Sequence, residues 1–221
     1  MVLTKFVVNP IIDFMKYLSV IAFAFSLSFF YQCQKKPDDP AIKEHHQEVL
    51  EWRKQKDEDY KDIDKTMLTP ELMKDFKGLK YYPIDYNYVV TGSLWKDPQP
   101  KEITIHTSTG SSYQNLVYGT ISFELHGEEL KLHLYQSEKA AKEGRTKRAL
   151  FLPFTDLTSG EETFGGGRYL VLDVPEGDEL VLDFNMAYNP YCVYDPEHSC
   201  PVPPAVNRLE VKVGAGEKMY P

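Results

Sequence analysis

The chain has 221 residues, 42% of them hydrophobic and 26% charged, a balance that excludes collagen-like, coiled-coil and wholly disordered architectures. Its length suits one domain of ordinary size with extensions. With 33 acidic against 25 basic residues the formal charge is −8, which lacks the basic footprint that nucleic acid requires and is weakly repelled by an anionic lipid surface.

In chain order, residues 17–31 form an uncharged apolar run, YLSVIAFAFSLSFFY, preceded by Lys16 and followed by Gln32, Cys33, Gln34, Lys35 and Lys36. A basic residue, a short apolar run and a processing site make the plan of a secretory signal. The run, at about 15 residues, is short of the roughly 20 that a membrane span needs. Met15, directly before Lys16, offers a second start. Cys33 stands where a bacterial lipoprotein carries its acylated cysteine, although Gln32 replaces the small residue usual before it. An uncleaved anchor and ordinary cleavage nearby are the other options. The expected organisation is a signal segment ending in a lipid-attachment cysteine over residues 1–33 and a tether over 34–39. A helical extension over 40–80 and a β domain over 81–221 follow. Such a protein is held at the cell envelope through its lipid, and Gln34 is compatible with outer-membrane sorting.

Asp39 followed by Pro40 predicts a helix start, with Asp at the N-cap and Pro in the first turn. Residues 41–60 are dense in charge. Ile42, Val49 and Trp52 fall near helical spacing with His45 filling the stripe, as in a helix lying on a domain surface. His45 and His46 are adjacent, do not face each other on a helix, and are expected to be solvated. Thr69, Pro70 and Glu71 repeat the start signal, with Leu72, Met73 and Phe76 as the apolar face and Gly78 as the stop.

From Tyr82 onward the period changes to two. Residues 86–91, 102–107, 118–125, 130–135, 149–154, 169–174, 180–184 and 208–213 read as strands. Leu130, Leu132 and Leu134 alternate with Lys131, His133 and Tyr135, and Leu209, Val211 and Val213 with Arg208, Glu210 and Lys212. Each pattern gives one buried and one wet face, the mark of an antiparallel sheet. The prediction is a mainly-β fold, an antiparallel barrel or sandwich of about eight strands with one or two N-terminal helices packed on it.

Two loops carry more than turn-making residues. In residues 153–169, Gly165, Gly166 and Gly167 permit a close backbone approach, and successive N–H groups there can cradle an anion beside the Arg168 fork. A flexible hairpin connection explains the same composition. No Lys-Ser/Thr follows the glycines, so this is not a phosphate-binding P-loop. Residues 185–204 are aromatic, stiffened by proline and far longer than a hairpin turn, as functional loops often are. Within them, Cys192 and Cys200 read first as a disulfide in an exported protein, closing a loop for about 2–4 kcal/mol. A metal site from Cys192, His198 and Cys200 would lack a fourth ligand. Cys192 as a nucleophile lacks a base at a fixed offset, and two inert thiols remain the fourth option.

Several ordered blocks resemble one family. They are Tyr81-Tyr82-Pro83-Ile84-Asp85, Thr107-Ser108-Thr109-Gly110, Leu152-Pro153-Phe154-Thr155-Asp156 with Thr158-Ser159-Gly160, and Gly165-Gly166-Gly167-Arg168-Tyr169. Leu182-Asp183-Phe184-Asn185 through Asn189-Pro190-Tyr191-Cys192, then Cys200-Pro201 with Pro203-Pro204, Asn207-Arg208-Leu209 and Gly216-Glu217-Lys218 complete the series. These look like the signatures of the domain of unknown function (DUF) 1684 family, over roughly residues 52–220. The resemblance implies a bacterial protein, often a predicted lipoprotein of the Bacteroidetes type, and no particular activity. Phe164 stands where the family is expected to carry Tyr.

The blocks fall mostly in loops and strand ends, which suggests one shared pocket. There Arg168 would hold an anionic group and Gly165, Gly166 and Gly167 would admit it. Asn185, Tyr188 and Asn189 would hydrogen-bond to it, with Asp156, Ser159 and Thr163 at the rim. A binding module for a small polar or anionic ligand needs nothing more: no cofactor, no resident metal and no nucleic acid. A secreted hydrolase would need a nucleophile or an acid–base pair, for which Asp156 or Glu162 with Asp183, or Cys192, are the candidates. The chain carries no Gly-x-Ser-x-Gly elbow, His-Glu-x-x-His or dinucleotide fingerprint. In a purely structural envelope protein, Asp156 and Ser159 would cap turns, Arg168 would pair with Glu162, and Asp183 would anchor a strand end.

Overall fold

In the computed structural model, which describes residues 39–220, the Asp39 carboxylate accepts the Ala41 N–H at 2.9 Å and opens helix α1 (Pro40–Lys61) as the Asp-Pro pair predicts. The expected signal segment, Cys33 and the tether up to residue 38 lie outside the described residues. The chain from Glu44 to Pro221 is one compact unit. Of the other unit, residues 1–43, only the turn opened by Asp39 is described. Helix α1 buries Val49, Arg53 and Tyr60, spaced four and seven apart on one face, and its wet side carries the Gln47–Glu51 and Gln55–Asp59 pairs. Helix α2 (Pro70–Asp75) begins where Thr69 Oγ1 accepts the Leu72 N–H and gives way to extended backbone at Phe76, two residues before the expected stop at Gly78. A third helix, α3 (Glu138–Lys142), is capped by Ser137 and was not predicted. Among the described residues, no helix is long and apolar enough to cross a membrane.

Seven strands follow the period-two pattern: β1 (Val89–Lys96), β2 (Glu102–His106), β3 (Ser112–Leu125), β4 (Glu128–Ser137), β5 (Leu150–Phe154), β6 (Arg168–Leu172) and β7 (Glu179–Asp183). They form one curled, antiparallel half-barrel sheet in the order β6-β5-β4-β3-β1-β7, with β2 paired to β3. Strand β3 is long enough to serve two partners on one side, β2 over Leu116–Ser112 and β1 over Gly119–Ser122. The register shifts at Gly119, where a Cβ would run into the Trp95 carbonyl, so only glycine lets the two strands approach there. The concave face holds the main core, including Ile121, Phe123, Leu132, Leu134, Leu152, Phe154, Leu182 and Phe184. A second cluster of Tyr60, Leu68, Leu79 and Tyr194 packs under the helices.

The expected eighth strand over residues 208–213 does not form. Its alternation is real, since Leu209 and Val213 are buried while Arg208, Glu210 and Lys212 are exposed. Its backbone meets the sheet through a single parallel bridge, Thr155 to Arg208. The segment beyond it is held by side chains and by scattered backbone bonds, among them an antiparallel bridge between Tyr81 and Glu217, and not by a ladder.

Because the sheet stops at seven strands, β6 and β7 are its two unpaired ends. The chain leaving β7 reaches back to β6 once: Tyr169 and Tyr188 exchange both backbone hydrogen bonds, at 2.9 and 3.1 Å. Helix α1 packs on the β7 side of the remaining seam. His45 Nε2 lies 2.8 Å from Asp183 Oδ2, Arg53 donates to the Asn185 carbonyl at 3.3 Å, and the Lys56 ammonium sits 4.6 Å from the centre of the Tyr188 ring.

Candidate functional site

The Gly-Gly-Gly-Arg turn decides where Arg168 points. Gly167 has φ of 85°, and a Cβ there would strike the Phe154 carbonyl and Pro203, so the turn lies flat on the end of β5. The Arg168 side chain is thereby driven inward, with no exposed surface. Its Nη1 donates to the carbonyls of Ala215 and Glu217. Its Nη2 donates to the Val213 carbonyl at 2.8 Å and to Asp156 Oδ2 at 2.9 Å. The other Asp156 oxygen accepts the Thr158 N–H and hydroxyl and the Val213 N–H, and Thr163 joins through the Thr158 hydroxyl. Fork and carboxylate thus add side-chain bonds along residues 213–217, whose own backbone bonds are confined to Gly216 and Glu217.

Most of the polar groups that sequence reasoning assigned to a ligand are thus taken by the protein, the buried Arg168 Nε and Asn189 Oδ1 excepted. Arg168 pairs with Asp156 and not with Glu162, which is exposed and 3.9 Å from Lys212. Ser159 Oγ accepts the Asp156 N–H. Gly166 is covered by the Phe164 ring, and Gly165 faces Gly160. Asn185 is buried and clasps both backbone groups of Asp85. Asn189 donates to the Lys218 carbonyl at 2.9 Å. Two further members were missed as functional atoms. Glu217, fully buried, accepts from Asn189 N–H, Tyr194 OH and Lys56. Asn207 holds both backbone groups of His133 and the Pro153 carbonyl. Both lie in the family-like blocks, which was the only sequence signal for them.

The two cysteines stand together as free thiols, the Cys192 N–H donating to Cys200 Sγ at 3.1 Å. Burial pushes the Cys200 thiol up to about 11. His198 turns to Asp195, with Nδ1 3.4 Å from its carboxylate. Among the described residues no three His, Cys, Asp or Glu side chains are grouped as metal ligands, so the Cys192, His198 and Cys200 set is not gathered. His45 corrects another expectation: it is packed edge-on against Tyr86 and bonded to Asp183, because the curl of the sheet brings β7 under the helix. His46 is exposed.

Tyr188 alone among the expected ligand residues lines an open groove. This groove occupies the seam, with a volume of about 160 Å³. Residues 170–172 of β6 form one wall and Val181 and Asp183 of β7 the other, with Met186, Tyr188, Trp52 and Arg148 completing it. Arg148 has φ of 48°, a conformation uncommon for a non-glycine residue. Asp173 holds it there, accepting the Arg148 N–H at 2.7 Å while also pairing with Lys147 at 2.7 Å. The Lys147 hydrogen bond, with help from the Arg148 N–H, keeps the Asp173 carboxyl below its usual range. No carboxylate pairs with the Arg148 guanidinium among the described residues. The wider hollow beside α3, about 620 Å³, is rimmed by Glu138, Lys142, Lys139 and Glu143, which pair with one another.

A family model described as a protein of unknown function (DUF1684) matches residues 74–218. The chain belongs to the DUF1684 family. It is also similar to an uncharacterised protein of Haloarcula marismortui whose structure was solved by NMR in solution. The two are 35% identical, the alignment covers 81% of this chain and 97% of that one, and the TM-score is 0.64. No curated protein sequence matches the chain. All seven strands, Arg148 and the buried Arg168–Asp156 network lie within the DUF1684 span, whereas Trp52 and His45 of α1 precede it.

Proposed function

We propose that this DUF1684 protein is an exported lipoprotein of the bacterial cell envelope, of the Bacteroidetes type. It binds a small ligand with an apolar body and an anionic group in the seam between β6 and β7. One observation carries the choice of site: an arginine held at positive φ beside an apolar groove, without a carboxylate of its own. Backbone strain at such a position persists only when the surroundings hold it, and it is commonly tied to function. A groove of about 160 Å³ matches the roughly 150 Å³ cavity that accommodates one benzene ring. Residues 17–31 and Cys33 supply the export signal and the anchor.

Two experiments test this. Cells labelled with palmitate are expected to acylate the wild-type chain and not Cys33→Ala, which should move to the soluble fraction; equal labelling of both would remove the lipoprotein. Isovalerate and phenylacetate are expected to change Trp52 fluorescence saturably. Their neutral amides, or the Arg148→Asn variant, should give no such change. A flat titration with both acids would remove the binding seat.

The hydrolase alternative has one observation in its favour, the His45–Asp183 pair, whose carboxylate lines the groove. A His45→Asn variant that keeps isovalerate affinity but loses ester turnover would select it.

A further inference from the structure

An apolar groove beside one cation would suit many carboxylates, but the seam offers a third feature that most of them would not use. Tyr169 spends its N–H and C=O on Tyr188, across the seam. Backbone groups alternate in direction along a strand, so Val171, two residues on, aims its N–H and C=O at the same edge. Neither has a hydrogen-bond partner there among the described residues. The neighbouring strand β5 pairs with the other edge of β6, Phe151 opposite Val171. Beside this vacant rung lie the apolar groove and the Arg148 guanidinium.

We infer that the seam receives the carboxyl-terminal end of an extended peptide. The inference rests on the ligand seat proposed above and names its occupant. The peptide backbone continues the Tyr169–Tyr188 bridge by one rung: the Val171 N–H donates to a peptide carbonyl, and the Val171 C=O accepts a peptide N–H. The terminal side chain fills the groove, whose volume suits one leucine-sized group, and the terminal carboxylate meets Arg148. Strand addition to a sheet edge, with a pocket for one side chain, supplies affinity through the main chain and selectivity through the pocket. The charge match is specific, because the −8 chain offers an unpaired cation at the groove. Free aliphatic or aromatic acids would leave the Val171 groups to water.

The test uses the full chain in detergent and four probes: acetyl-Ala-Ala-Leu as the free acid, its carboxyl-terminal amide, the acid methylated at every amide nitrogen, and isovalerate. Binding is read by Trp52 fluorescence and calorimetry. The free acid is expected to bind about tenfold more tightly than isovalerate, the yield of a pair of hydrogen bonds of ordinary strength. The amide and the methylated peptide should fall back to the level of isovalerate or below.

Val171→Pro removes the N–H that faces the seam, a change edge strands tolerate, and alters one side chain of the groove wall. It should weaken the peptide acid severalfold more than it weakens isovalerate, with circular dichroism melts confirming the fold. Should that variant fail to fold, the methylated peptide carries the same comparison. Equal affinity for the peptide acid, the methylated peptide and isovalerate would overturn the peptide and keep the anion seat. Absence of binding by peptide acid and isovalerate alike would overturn both.

Discussion

Removing the Arg168 side chain would leave the carbonyls of Val213, Ala215 and Glu217 and the Asp156 carboxylate without this donor in the interior. Breaking a buried ion pair from one side costs about 3–5 kcal/mol. Arg168→Ala is accordingly expected to lower the urea unfolding free energy by about 3 kcal/mol or more. Arg168→Lys should recover little, because an ammonium has no planar fork. A loss below about 1 kcal/mol, in the range of an exposed pair, would mean that the network does not hold the C-terminal segment. Asp173→Asn tests a residue of the other kind. The Asp173 carboxyl titrates below its ordinary 3.8, so its contribution is present above that pH and is lost as the pH falls through the depressed folded value. On an exposed turn the stability effect should be small, while isovalerate affinity should fall severalfold as Arg148 loses its hold. Unchanged affinity would detach Asp173 from the groove. The chemistry of Arg168 was legible in the sequence, but its partner was not. Spacing along a chain says that a guanidinium seeks anions and carbonyls, not that these lie 12 residues upstream and 45–49 residues downstream.

At the scale of elements, alternation reported side-chain faces faithfully and ladders less so. Residues 208–213 turn every second residue inward as a strand would, Leu209 and Val213 buried and Val211 half-buried, yet their backbone partners are scattered. The pattern is blind to this, because it records burial and not pairing. Strand β1 begins at Val89 because Asp85 accepts the Asn87 N–H and tightens residues 86–88 into a short turn, a local bond that the apolar run masks. Helix α3, five residues long, is too short to display a period. The packing of α1 against the C-terminal segment makes its own prediction. Burial, then the neighbouring Glu217 carboxylate, pushes the phenols of Tyr60, Tyr81 and Tyr194 well above their ordinary 10.0; burial also raises Tyr188. A raised phenol keeps its proton in the folded protein when the unfolded chain has lost it. Stability is therefore full below pH 10 and declines above it, at about 1.4 kcal/mol per pH unit for each such group. Tyrosinate absorbance of this set is expected to appear together with loss of the far-ultraviolet dichroism. Ionisation of all the tyrosines ahead of any structural change would show that the helix does not seal them.

For the whole molecule, the fold class was readable because seven runs of period two, punctuated by turns, leave few alternatives to an antiparallel sheet. The groove was not readable. It belongs to residues 170–172, Val181 and Asp183, which lie on opposite ends of one sheet and meet only through its curl, and no local pattern encodes how far a sheet bends. The expected pocket around Arg168 was inferred from where the family-like blocks fall, and those blocks instead tie the irregular segments to the sheet. Tyr188 was the point at which the two pictures overlapped, being in a family-like loop and on the wall of the seam.

The single bridge between Tyr169 and Tyr188 has a consequence for how the molecule comes apart. In a closed barrel every strand is guarded by two neighbours, so no place is preferred for the first rupture. Here the ring is cut, and its ends are joined by one backbone latch, while the helix side chains hold the β7 end alone. Opening can therefore start at the seam and leave the rest of the sheet intact, as local fluctuations do in regions with few protected amides. Among hydrogen-bonded amides, exchange is expected to run fastest at the latch, Tyr169 and Tyr188, and slowest at Ile121 and Leu132 near the middle. Added peptide acid should slow Val171 alone by about the factor by which the seam is occupied. Uniform exchange along the seven strands would show that the cut ring melts as one.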